Sequence, residues 1–446
     1  MDRRRFLRQT VLFSAGALLV PTVLSSCRKE ELFDGETYSG KVIVIGAGSA
    51  GLYAGHILKS KGIDFTILEA SAIHGGRLGK LIGFSDSPID LGAQWLHGKN
   101  SIAGNLVTSS GTAITLDDSE MQYWFQNQLV ATLPTDVEAL FTDEDAPDVS
   151  FENFASQSGL GTEYKYIVEG FAGDFGADAS RISVAETVRE EENWCSGDDD
   201  FKFRETYYDL IHTNIAAGIM SNIIFNTPVT KIDYSSETIV VTDANNNTHT
   251  ADKIIIAVPI TILKANTITF VPALPSEKTD AFQKIGMDAG MKVFLKFSSK
   301  FYNQNIVGGT ICAAYADESV GKSGTDNVLL AFIMGEQAEY LTALGSDQAI
   351  VNALLGELDL VFNGQATASY LDAHVQNFTT LPYIRGAYSY STVGIGDART
   401  IAAQAVDDKL FFAGEAMNIN GHHQTVQGAL ETGYREVINI LDSVRK

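Results

Sequence analysis

Short, unbroken apolar runs alternate with amphipathic stretches along most of the chain. Val42–Ile45, Lys253–Val258 and Leu410–Ala413 are rich in Ile, Val and Phe and are closed by Gly, Pro or Glu. Runs of this kind predict strands buried on both faces, as in a parallel sheet. After the first run, a glycine-rich turn leads into a helix predicted to about Lys61, and Asp64–Leu68 predicts the next strand. Together these form a β-α-β unit. Met291–Phe297 alternates instead. Lys292, Phe294 and Lys296 share one face of a strand there, and Val293, Leu295 and Phe297 share the other. The apolar face belongs in a core; the mixed face suits a ligand or solvent equally. From about Gln424 a helix is predicted to Val444.

Strand-turn-helix signals sit near both ends, with dissimilar sequence between them. This predicts an α/β (α+β mixed) fold of two domains interlaced along the chain: a Rossmann-like domain and a mixed-sheet domain. The first is expected to take residues 39–104, 222–266 and 386–446, and the second 105–221 and 267–385. The turn Gly46-Ala47-Gly48-Ser49-Ala50-Gly51 has a distinct use for each glycine. Gly46 permits the tight turn, Gly48 lets a pyrophosphate approach, and Gly51 lets the helix pack on the strand. The helix N-terminus then offers unpaired N–H groups to phosphate. Glu69, 23 residues beyond Gly46, ends the next strand, where a carboxylate accepts hydrogen bonds from an adenosine ribose.

The chain has 446 residues and a formal charge of −23. Such a surface repels phosphate backbones, so nucleic acid is not an expected partner. It attracts cations, over a range that salt cuts to roughly 8–10 Å. The first residues are set apart. Arg3-Arg4-Arg5-Phe6-Leu7 precedes an apolar run from Val11 to Val23, too short to span a bilayer. This predicts a signal peptide over residues 1–26, resembling the twin-arginine type that exports folded proteins. Leu24-Ser25-Ser26-Cys27 resembles a lipobox, which would make Cys27 a lipid anchor to a membrane, with 27–38 as a tether. An exported, membrane-anchored bacterial lipoprotein, in the periplasm or at the cell surface, is the expectation.

Further strings narrow the chemistry. Gly75-Gly76-Arg77-Leu78, Asp90-Leu91-Gly92-Ala93-Gln94-Trp95-Leu96-His97-Gly98 and Phe411-Phe412-Ala413-Gly414-Glu415-Ala416 resemble the flavin-containing amine oxidase family, which includes monoamine and polyamine oxidases. The resemblance implies FAD, O2 as its oxidant, and an amine substrate oxidised to an imine by hydride transfer to flavin N5, with H2O2 released. By position it assigns FAD contacts to Gly46, Gly48, Ser49, Ala50, Gly51, Glu69, Ala70, Gly76 and Arg77. Gly92, Ala93, Gln94 and Trp95 match the stretch that passes the ring, Val229 meets adenine through its backbone, and Glu415 lies near the pyrophosphate. Thr425 and Val426 face the pyrimidine ring, where a helix start would stabilise negative charge on reduced flavin.

The same resemblance makes Lys292 the lysine that holds a water against N5 and Tyr388 one wall of an aromatic slot. Ala387 stands where some members carry a flavin-linked cysteine, so the FAD is expected to be noncovalent. Trp95-Leu96-His97-Gly98 is similar to the polyamine-oxidase string, which points to His97 and a polyamine-type substrate. Amino-acid oxidases carry an arginine nearby, and here Trp95 stands. Gly421-His422-His423 reads as a solvated or cofactor-side loop, and no metal is expected. Two alternatives stay open: an L-amino-acid oxidase or other flavin oxidoreductase of the same superfamily, and an anchored flavoprotein without turnover.

Overall fold

The computed structural model describes residues 38–141 and 145–444. The signal peptide and Cys27 lie outside the described residues, as does all of the tether but Tyr38. Strand β1 (Lys41–Ile45), helix α1 (Ser49–Ser60) and strand β2 (Asp64–Leu68) form the expected β-α-β unit. A five-stranded, all-parallel sheet grows from it in the order 223–224, β2, β1, 253–256, 410–412.

Side chains alternate across that sheet, and both faces are covered. Val42, Val44, Phe65, Ile67, Ile255 and Phe411 point into one core with α1 and the C-terminal helix Val426–Ser443. Ile43, Ile45, Ile254, Ile256, Leu410 and Phe412 point into the other. This second core is closed by a four-stranded sheet and the helices Ser276–Lys284 and Ala398–Ala403. Two-sided burial is the reason these runs are apolar throughout. Phe203, Tyr207, Leu210, Ile215 and Ile219 also enter the first core. Part of the stretch grouped by sequence with the second domain thus packs under the nucleotide sheet.

A seven-stranded mixed sheet forms the other half, in the order 370–377, 290–297, 327–334, 314–317, 305–307, 121–125, 128–130. Gly290–Phe297 is an interior strand, second from one edge and antiparallel to both neighbours. Met291, Val293, Leu295 and Phe297 enter one apolar cluster, as the alternation predicted. Phe294 enters another on the opposite face. A small sheet joins the halves: Trp95–His97 pairs with Asp200–Phe203, which also pairs with Ile114–Leu116. Among the described residues, no helix is long and apolar enough to cross a membrane.

The turn after β1 shows why its glycines are not interchangeable. A Cβ on Gly51 would lie 2.0 Å from the Gly46 carbonyl oxygen, whereas one on Gly48 would meet nothing within 4 Å. Gly46 has φ of +102°, and its own Cβ would lie 2.8 Å from the Ala257 carbonyl. Gly51→Ala is therefore expected to force α1 off β1 and to cost roughly 3 kcal/mol in a urea titration. Gly48→Ala is expected to leave the urea midpoint close to wild type and to reduce dinucleotide content. Equal stability losses in both variants would contradict the division of roles.

Candidate functional site

The nucleotide end is built from backbone. Helix α1 starts at Gly48 with no side-chain cap and no acidic residue in its first turn. The helix start carries the positive dipole end, and a Cβ on Gly48 would meet nothing within 4 Å, so there is open space beside it. Gly75 folds back over the turn, its N–H donating to the Ala47 carbonyl at 2.8 Å. Glu69 is buried at the end of β2. Its Oε2 accepts from the Ala47 N–H at 2.7 Å, and Oε1 accepts from the Ser71 N–H and hydroxyl at 2.8 and 2.7 Å. A carboxylate has about four lone-pair sites, so these bonds fix Glu69 and leave it capacity for a ribose. Thr227 donates its N–H to the Glu69 carbonyl and Asn226 to the Ser71 carbonyl. That brings the segment leading to Val229, at the start of strand Val229–Asp233, alongside Glu69.

Arg77 does not reach out alone as a phosphate fork. Its Nη1 donates to Glu415 Oε1 at 2.9 Å and to the Ala387 carbonyl at 3.0 Å. Glu415 also accepts from the Ser389 hydroxyl at 2.7 Å and from the Gln424 N–H at 2.9 Å. Ser389 in turn accepts from Arg399 Nη1 at 2.9 Å. Burial alone would push the Glu415 carboxyl up. Arg77, the Ser389 hydrogen bonds and Arg399 overcome it and hold the group at about 2.

Lys292 lies across the domain boundary from residues 92–95. Its buried ammonium donates to the Gly92 carbonyl at 2.6 Å and to Gln94 Oε1. The Trp95 ring lies 5.6 Å from Nζ and packs edge-on against Phe332. On the mixed face of this strand solvent is excluded at Lys292, which is 3% exposed, whereas Lys296 is half-buried and paired with Asp326. Burial pushes the Lys292 amine down to about 8. Gln94 is buried as well, with its side chain taken up by Lys292 and Glu318, so only its backbone is left for a cofactor.

Tyr388 and His97 belong to other walls. The Tyr388 hydroxyl donates to the carbonyls of Asp174 and Gly173 at 3.0 and 3.3 Å. A Cβ on Gly176 would strike its ring, so the ring is seated on that glycine. His97 Nδ1 lies 2.7 Å from Asp200 Oδ1, and its carbonyl accepts from Gln427 Nε2 at 2.9 Å. Asp200 is 2% exposed and orients His97. The histidine pair also differs from a solvated loop: both rings are buried, His422 against Glu431 and His423 against Glu190 at 2.7 Å each. Among the described residues, no group of three or more His, Cys, Asp or Glu is placed to hold a metal ion. Thr425 caps the C-terminal helix, its hydroxyl accepting from the Gly428 N–H, and Val426 is the first helical residue.

Glu318, Arg399 and Asp200 belong to this region without any signal in the sequence, whereas Asp90 opens the string that runs to Gly98. The charged partners of all four come from distant segments. The fitting features for a dinucleotide are the uncapped helix start, the space over Gly48 and the carboxylate of Glu69.

The sequence pattern described as flavin containing amine oxidoreductase matches residues 49–162 and 208–441. The chain belongs to the flavin-containing amine oxidoreductase family. It is 30% identical to probable polyamine oxidase 4 of Arabidopsis thaliana, over 88% of this chain and 85% of that protein. It is 27% identical to lysine-specific histone demethylase 2 of Homo sapiens, covering 94% of this chain and 55% of that protein. The chain thus spans about half the length of that curated relative. A double mutant of putrescine oxidase, known as a solved structure, superposes with a TM-score of 0.77 over 91% of this chain and 100% of that one, at 18% identity. That likeness concerns the fold.

In this family member, Glu415 stays ionised through most of the acid range, and the pH dependence follows. Its depressed carboxyl contributes stability that is full above the ordinary value of 4.5 and is lost as pH falls through about 2. Arg77→Met removes the main counter-charge. Because Arg399 remains and Arg77 is 25% exposed, a loss of about 3 kcal/mol at neutral pH is expected, at the low end for a broken buried pair. Acid unfolding followed by circular dichroism should begin at higher pH than in the wild type. An unchanged acid transition would show that the pair carries no such role.

Proposed function

We propose that this protein is an FAD-dependent amine oxidase acting on a di- or polyamine. The observation that carries the reading is Lys292: a buried ammonium, delivered by an interior strand of one sheet, bonded to the Gly92 carbonyl in the stretch that the family places along the flavin. When bound, FAD would accept the hydride from the carbon beside the amine nitrogen and pass the electrons to O2, giving H2O2. The backbone at Gly46–Gly51, Glu69 and Glu415 would hold the dinucleotide. Ala387 offers no thiol, which supports noncovalent attachment.

The chain's own residues supply position and proton handling. With its amine at about 8, Lys292 holds or releases a proton at Nζ near neutral pH and can anchor a water there. Tyr388, fixed by two carbonyls, gives an aromatic wall that favours the neutral amine over its cation. Asp200 fixes the His97 ring through Nδ1. The names of polyamine and putrescine oxidases among the relatives support an amine without a carboxylate. The charge of −23 favours a polycation. Export and lipid anchoring through Cys27 remain part of the proposal on the sequence strings alone.

Lys292→Met is expected to retain flavin absorbance while turnover falls by roughly 10²–10⁴-fold. Stopped-flow reduction and reoxidation check this, and wild-type rates in both would remove Lys292 from the reaction. The amine itself is tested by anaerobic flavin bleaching and peroxide release over mono-, di- and polyamines and amino acids. Polyamine kcat/KM should rise with pH and fall with added salt. His97→Ala should weaken polyamine turnover more than that of an aromatic monoamine. Preference for an aromatic monoamine with no salt dependence would overturn the polyamine assignment.

A further inference from the structure

Behind Lys292 lies a group of buried charges that the oxidation chemistry does not call on. Gln94 Nε2 donates to Glu318 Oε2 at 3.0 Å, while the opposite end of the same amide receives Lys292. An ammonium can only donate and an ionised carboxylate can only accept, so the Gln94 amide has one orientation that serves both. Glu318, 2% exposed, faces the Lys202 ammonium at 3.6 Å. Lys202 is equally buried and also donates to the Asp317 carbonyl at 2.9 Å. Asp90 accepts the Tyr207 N–H at 2.8 Å and lies 4.0 Å from Lys322.

The groups facing Lys292 are therefore Glu318 and Asp90 with negative charge and Lys202 and Lys322 with positive charge. The rings of Trp95, Phe294 and Phe332 fill the remaining space at 5.6, 5.9 and 6.0 Å from Nζ. Glu318 and Lys322 also line a small half-open surface pocket, together with Asp86, Ser87, Ser319 and Asp326. A carboxylate thus stands between that pocket and the amide that holds the lysine.

We infer that Glu318 is a positioning residue for Lys292, locking the Gln94 carbonyl onto the ammonium and, in balance with Lys202, setting how firmly Lys292 keeps its proton. The inference rests on the reading of Lys292 as the amine of the reaction. Burial is the largest influence on Lys292 and lowers it; Glu318, then Asp90, raise it, and Lys202 and Lys322 lower it again. Asp90 is itself pushed up to about 7, by burial first and by Glu318. It therefore exchanges its proton in the same pH range as Lys292, and removing the Glu318 charge acts on both.

The test is direct titration of Lys292 in the holoprotein, with lysine carrying ¹³C at Cε and the resonance assigned by its loss in Lys292→Met. Glu318→Gln is expected to move the Lys292 midpoint down by about one pH unit, and Lys202→Met to move it up by a similar amount. Loosened packing would move both variants up, toward the ordinary lysine value of 10.5. An unchanged midpoint in Glu318→Gln, or an upward one, overturns the inference. The pH profile of kcat, measured on the same variants, separates the two proposals. If the midpoint moves as expected and the kcat profile stays still, Glu318 positions Lys292, and it is the catalytic reading of Lys292 that fails.

Discussion

Four distant segments of the chain meet at one buried carboxylate. Glu415 opens the short 3-10 turn Glu415–Met417 that follows the last strand of the parallel sheet, and receives Arg77 from the loop after β2, Ser389 from the return out of the mixed sheet, and the Gln424 N–H just before the C-terminal helix. An ionised carboxylate without partners would be intolerable in such a place. The requirement to satisfy it fixes how the glycine-rich end, the Tyr388 wall and the start of the C-terminal helix stand relative to one another. Hydrogen bonds to a charged group are the strong ones, and here several converge on a single group that water does not reach.

The second junction is Lys292. A lysine on an interior strand would ordinarily turn to solvent or be replaced by an apolar residue. Instead its ammonium bridges from the mixed sheet to the Gly92 carbonyl and to Gln94, so the two halves are joined by the group assigned to the reaction. The surrounding charges, two lysines and two carboxylates, are a costly arrangement by comparison with an apolar core. Perturbed groups concentrated in one buried place are the usual mark of a functional site. Lys278 shows the other outcome. Its buried ammonium takes the carbonyls of Ala402 and Gln404 at the end of helix Ala398–Ala403, a purely architectural use of the same side chain.

Much of the frame is legible without coordinates because its causes are local. Gly46 and Gly51 are needed by the turn itself, through a positive φ and a helix-strand contact that a side chain would block. The apolar runs of β1, 253–256 and 410–412 mark strands covered on both faces, and the alternation from Met291 to Phe297 marks the face that enters the core. The C-terminal helix begins at Val426, where the hydroxyl of Thr425 can cap it.

Charge is where the sequence stops being informative. Nothing local marks Asp200 as buried against His97; Gly421-His422-His423 reads as a solvated or cofactor-side loop, and both rings are found buried, each against a glutamate. Arg77 is assigned to FAD by its string, but that its Nη1 pairs with Glu415, 338 positions away, is not legible from spacing. Glu318 carries no local pattern at all. Periodicity and turn chemistry involve neighbours within a few residues, so composition and spacing determined the strands, the glycine turn and the helix starts. Whether a charged side chain is buried, and what neutralises it, depends on segments brought together only by the packed fold, and the tertiary structure alone decided those pairs.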